Sequence, residues 1–116
     1  MSVTIYHNPR CSKSRQTLSI LQDKGVQIDI IEYLQTPPDV KTLQSLIKKL
    51  GISAKDLLRK GEQEFKLAGL DKDNLSDEEI IQAMVKYPKL IERPIVVHKD
   101  KAVLGRPPEN VLSIID

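Results

Sequence analysis

The sequence predicts an α/β fold, a four-stranded mixed sheet built from an N-terminal βαβ half and a C-terminal ββα half. A helical subdomain is inserted between them. Three observations carry that expectation. A β-branched run, a helical pattern and a second apolar run follow one another within about thirty residues, the length of one βαβ unit. Two short apolar runs flank Lys99-Asp100-Lys101 and read as a hairpin. Between these halves the apolar spacing is helical and is punctuated by serine-led start signals.

The elements follow in order. Val3 to Tyr6 is a short strand, broken by His7-Asn8-Pro9 because proline lacks an N–H and steers its predecessor away from the α region. From Ser12 the pattern is helical, with Leu18, Ile20 and Leu21 as an apolar stripe and Gly25 as the cap after Lys24. Val26 to Tyr33 is a second strand, parallel to the first through a right-handed crossover. Thr36-Pro37-Pro38-Asp39 opens a helix whose Val40, Leu43, Leu46, Ile47 and Leu50 share a face, and Gly51 closes it. Ser53-Ala54-Lys55-Asp56 is a capping box with Asp in place of the usual Glu, and Ser76-Asp77-Glu78-Glu79 is the standard form. Lys60 to Asn74, between them, reads as polar and partly irregular. Pro94 to His98 and Ala102 to Leu104 are the hairpin strands, and a last helix carries Val111, Leu112 and Ile115.

This order is the thioredoxin-like arrangement, expected as one domain over residues 1–116 with its helical insertion at about 38–88. Arg93-Pro94 falls where that fold usually has a cis-proline beside its active thiol. A length of 116 residues suffices to bury roughly two thirds of the unfolded surface.

Composition excludes several functions. Aromatics are 3% of the chain with no Trp, so it has no stacking platform for single-stranded nucleic acid. A net charge of +2 provides no broad phosphate-binding face, and no nucleic-acid partner is expected. No apolar run approaches the ~18 residues of a membrane span, and the N-terminus lacks a signal-peptide pattern. One cysteine makes no internal disulfide. A cytoplasmic protein is expected.

That cysteine, Cys11, stands in "YHNPRCSKSRQ", at or just before the first turn of a helix and beside Arg10, Lys13, Arg15 and His7. Free helical N–H groups and nearby cations favour a thiolate there. An ordinary thiol of pKa ~8.5 is only about 3% ionised at pH 7, so a lowered pKa would convert it into a nucleophile. The competing reading is a small buried hydrophobe, against which Pro9, Arg10, Ser12 and Lys13 are not core residues. Ser14 stands where a Cys-x-x-Cys pair would need its second thiol, and Thr17 where a Cys-x5-Arg phosphatase loop would need arginine. Cys11, His7 and His98 alone make no zinc site, and no metal is expected. A sulfur intermediate therefore needs an external thiol.

Only five of the 18 basic residues are arginine: Arg10, Arg15, Arg59, Arg93 and Arg106. Arg93 and Arg106 each precede a proline beside the C-terminal strands, and Arg59 ends a short helix. Arginine's planar fork binds oxyanions bidentately, as lysine does not.

The stretches "IYHNPRCSKSR", "EYLQTPP", "GISAKDLLRK", "ERPIVV" and "GRPPENVL" run in order along almost the whole chain, which resembles the glutaredoxin-linked arsenate reductase family, and its short members most. The resemblance implies Cys11 as nucleophile and Arg59, Arg93 and Arg106 as the three oxyanion-binding arginines. It implies His7 and Ser14 as residues that tune the thiolate. It further implies arsenate as substrate, glutathione as co-substrate, glutaredoxin as partner and no bound cofactor. Two other readings stay open: a glutathione-dependent transferase acting on mixed disulfides, and a non-enzymatic regulator of RNA polymerase like the Spx proteins, whose usual Cys-x-x-Cys switch Ser14 removes. The lack of an apolar exposed helix face leads us to expect a monomer.

Overall fold

The computed structural model describes residues 2–72 and 74–115. They divide into two compact units, one running through Thr36 and resuming at Arg93, the other spanning Pro37–Glu92.

The first unit holds the sheet. Strand β1 (Ser2–Tyr6) is central and pairs in parallel with β2 (Gln27–Ile31), joined through helix α1 (Ser12–Asp23). On its other side β1 pairs antiparallel with β3 (Ile95–His98), which pairs antiparallel with β4 (Lys101–Leu104). The order β2-β1-β3-β4 is the mixed sheet expected from sequence, and the fold is thioredoxin-like. Alternation along β1 sends Val3 and Ile5 to one face, where they join Leu21 of α1, Val96 of β3, Val111, and Ile115 of α6 (Leu112–Ile115) in a buried cluster. Each such side chain contributes roughly 1.5–3 kcal/mol by leaving water.

Two local expectations are corrected here. The stripe predicted on α1 was Leu18, Ile20 and Leu21, yet Leu18 and Ile20 are only half-buried, while Ser14, Thr17 and Leu21 face inward. The two polar residues occupy that face because they bond to groups there, as described below. Strand β2 is shorter than Val26–Tyr33, and as an edge strand it leaves Ile30 48% exposed.

The second unit is helical. Helix α2 (Val40–Leu50) starts on Asp39, whose carboxylate accepts from Thr42 N–H at 2.8 Å, and ends on Gly51 in the left-handed region. Helix α3 (Ala54–Leu57) and helix α5 (Asp77–Lys86) both start in the capping boxes read from sequence. The segment expected to be partly irregular contains a short helix, α4 (Gln63–Leu67). Asp73, within that segment, lies outside the described residues. Leu43, Leu46, Leu57, Ile80, Met84 and Leu90 are buried in this unit. An antiparallel bridge joins Leu58 to Ile91, flanked by Arg59 N–H to Leu90 O and Glu92 N–H to Leu57 O, both 2.8 Å. Among the described residues no helix is long and apolar enough to cross a membrane.

Candidate active site

The turn after β1 places the thiol. His7 and Asn8 are buried just beyond the strand, and His7 N–H still donates to Ile31 O at 2.8 Å. The chain then turns tightly. Cys11 N–H donates to Asn8 O and Arg10 N–H to Asn8 Oδ1, both at 3.0 Å. The Arg15 guanidinium reaches back to Pro9 O at 2.9 Å and closes the loop onto the helix it precedes. Cys11 is the N-cap of α1, in extended conformation, and its carbonyl accepts from Arg15 N–H at 3.0 Å. A side chain at that position meets the unpaired N–H groups of the first helical turn.

Those groups decide the charge of the thiol. Burial alone pushes it up. The Ser14 N–H, the Arg93 guanidinium by hydrogen bond and by charge, and the Lys13 N–H together outweigh that cost and hold Cys11 below the ordinary thiol range. The sequence placed cations around the thiol, but the one that bonds to it comes from 82 residues away. The Arg15 guanidinium acts on the loop instead.

His7 and Ser14 form the floor of this turn. Ser14 is fully buried, and its hydroxyl accepts from Asn8 N–H at 3.0 Å and shares a 2.7 Å hydrogen bond with His7 Nδ1. The donor in that second bond follows the imidazole tautomer. Ser14 reaches Cys11 through its backbone N–H, while its hydroxyl is spent on the turn. Desolvation pushes the His7 pKa down against the pull of Glu32, and the Arg15 charge pushes the same way as desolvation, so the ring favours its neutral form.

The three arginines singled out in the sequence fall in different settings. Arg93 lies two residues before β3, in an Arg93–Pro94 peptide that is cis, and its guanidinium holds the Cys11 pKa down by hydrogen bond and charge. Arg106 is exposed and donates from Nη1 to Arg93 O at 3.3 Å. Its own carbonyl accepts from Asn110 Nδ2 at 3.2 Å, which ties the Arg106–Pro107 segment, also cis, to the turn that leads into α6. Arg59 belongs to the second unit. There its Nη1 donates to Glu92 Oε1 at 2.7 Å and its Nε to Glu62 Oε1 at 3.3 Å.

Sequence reasoning missed two residues of the first unit. Thr17 is completely buried, and its hydroxyl donates to Lys13 O at 2.8 Å and lies 3.4 Å from Gly105 O. Gly105, which donates its N–H to Pro94 O at 3.0 Å, is packed so closely that an added Cβ would strike Thr17 Oγ1 and sit 2.8 Å from Pro94 Cγ. The missing side chain lets α1, the Pro94 turn and the Arg106 segment meet. The only signals were a threonine in phase with Ser14 and Leu21, and a glycine directly before Arg106-Pro107. Among the described residues no group of three His, Cys, Asp or Glu side chains is arranged to hold a metal ion.

Comparison with known proteins adds three findings. The model of the ArsC family matches residues 6–114. An arsenate reductase of Haemophilus influenzae is 50% identical over 99% of this chain and all of its own, and YfgD of Escherichia coli K12, whose name carries no activity, is 54% identical over 97% and 96%. Among solved structures, an arsenate reductase from Vibrio cholerae is 47% identical with a TM-score of 0.95, covering 99% of this chain and 98% of that one.

Proposed function

The chain belongs to the ArsC family, and on that premise we propose that it reduces arsenate to arsenite with Cys11 as nucleophile. The observation that carries the reading is a thiol at the N-cap position of α1 together with the Arg93 guanidinium, which lowers the thiol pKa and supplies a cation for an incoming oxyanion.

In the proposed sequence arsenate binds at Arg93 and Arg106, with Arg59 assigned as the third anion-binding arginine from the family resemblance. The Cys11 thiolate attacks arsenic, a sulfur–arsenic bond forms, and an arsenic-bound oxygen leaves as water after protonation. A glutathione thiolate then attacks Cys11 Sγ. The sulfur–arsenic pair passes to arsenic, which falls from As(V) to As(III) and departs as arsenite, and Cys11 and glutathione are left joined as a mixed disulfide. A glutaredoxin thiolate takes up the glutathione and restores Cys11. The sequence has a single cysteine, so the resolving thiols must come from other molecules, and a glutathione-supplied reaction belongs in the cytoplasm. No resident cofactor has a step in this scheme, and a monomer suffices for it. His7 and Ser14 tune the thiolate indirectly, by fixing the turn that aims it.

The test is arsenate-dependent NADPH oxidation with glutathione, glutaredoxin and glutathione reductase. Cys11→Ser is expected to abolish the signal, and Arg93→Ala to lower kcat/KM by about 100-fold, in line with losing one charge-stabilising donor. No arsenate-dependent signal from the wild type would overturn the reading. Glutathione-dependent transfer on mixed disulfides is the second reading, favoured by one observation: Arg59 already carries two carboxylates. That activity would survive Arg59→Ala and Arg106→Ala, whereas arsenate reduction would show a raised KM in both.

A further inference from the structure

Arg59 has an unusual set of partners for a residue meant to meet an anion. The bridge between Leu58 and Ile91 locks residues 57–59 against 90–92, and on that frame Glu92 Oε1 accepts from Arg59 Nη1 at 2.7 Å. Glu62 Oε1 accepts from Nε at a longer 3.3 Å. All three side chains are about a quarter exposed, so the bonds are only partly screened. Two carboxylates on one guanidinium leave the trio with a net negative charge, which opposes the arrival of an oxyanion. Glu62 is also the N-cap of α4, yet its side chain makes no capping bond and turns to Arg59 instead.

The two carboxylates differ in how firmly they hold. Of the two bonds to the guanidinium, the 2.7 Å charge-assisted bond across a backbone bridge is the shorter, so the 3.3 Å bond from Glu62 is the one given up first. We infer that Glu62 is a resident carboxylate that occupies Arg59 Nε in the empty protein and is displaced by the incoming oxyanion, while Glu92 is the positioning residue that keeps Arg59 in place. With Glu62 withdrawn, Nε and Nη2 present the side-on fork that a tetrahedral oxyanion accepts bidentately. The pairing lowers affinity for every anion that uses Arg59, by the cost of displacing Glu62. The inference rests on the assignment of Arg59 as an anion-binding residue in the function proposed above.

The experiment measures arsenate kinetics and, separately, calorimetric binding of inorganic phosphate in the absence of thiols. Glu62→Gln removes the charge at almost constant volume. It is expected to lower the arsenate KM by about three- to tenfold with kcat within about twofold, and to tighten phosphate binding by a similar factor. Glu92→Ala is expected to raise KM and weaken phosphate. Glu92→Gln keeps an acceptor for Nη1 and restores most of the wild-type affinity, which a merely structural loss would not do. Unchanged or weakened phosphate binding in Glu62→Gln overturns the inference, as does the absence of phosphate binding in both proteins. A wild type inactive on arsenate overturns the proposed function instead, and the phosphate comparison still decides the role of Glu62.

Discussion

Arg93 and Arg59 were both singled out in the sequence as anion-binding arginines, yet their surroundings differ in kind. Arg93 comes to act on Cys11 only because β1 and β3 are antiparallel neighbours in the sheet, so that β1 ends where β3 begins. Arg59 is held by a carboxylate three residues on and by another across one backbone bridge. The first setting is built from segments far apart in sequence and packed without spare room. The second belongs to a unit whose helices start and stop on their own local signals. Substitutions in the first unit should therefore be costly and coupled to one another, and those in the second milder and independent.

The severest break in that contrast is Gly105→Ala. The added methyl meets Thr17 and Pro94, and overpacking of this kind costs about 1–3 kcal/mol. Thermal or denaturant unfolding should show the loss, and adding Thr17→Ala should recover part of it, because the clash needs both partners. Full additivity of the two substitutions would mean that the close approach does not couple them.

Next comes the thiol itself. The rate of Cys11 alkylation should inflect below the ordinary thiol range, and Arg93→Ala should move the inflection upward by removing both a hydrogen bond and a charge. Stability follows the same sign. A thiol whose folded pKa lies below its unfolded value adds stability above the unfolded pKa and loses it as pH falls through the folded one. The stability gap between wild type and Arg93→Ala should accordingly widen from acid toward alkaline pH. An alkylation profile that does not move in Arg93→Ala would remove Arg93 from the control of the thiol.

The smallest effect belongs to the helical unit. Ser76→Ala removes the hydroxyl that accepts from Glu79 N–H at 3.1 Å and should cost about 1 kcal/mol in equilibrium unfolding. The alkylation profile of Cys11 should stay in place. A shifted profile would show that the two units are not as independent as their separate construction implies.

Legibility followed the same division. Capping boxes at Ser53 and Ser76, the glycine stop at Gly51 and the apolar face of α2 were readable because each involves groups within a few residues of one another. The βαβ and hairpin patterns were readable for the same reason, and with them the sheet. The inward turn of Ser14 and Thr17 was hidden, since a hydropathy pattern counts a hydroxyl as polar even where it is bonded to a neighbouring backbone. The short helix α4 was hidden because Gln63–Leu67 offers too few apolar repeats to register as periodic.

By itself the sequence determined the strands, the capped helices and their order, and it put the one thiol before a helix among cations, since local backbone preference and apolar periodicity act over short distances. Only the tertiary structure decided which cation touches that thiol, that Gly105 can carry no side chain, and that Arg59 already has two carboxylates. Those outcomes depend on the distance between atoms whose positions along the chain are unrelated. Packing sets such distances to within a fraction of an ångström, and no pattern along the chain encodes them.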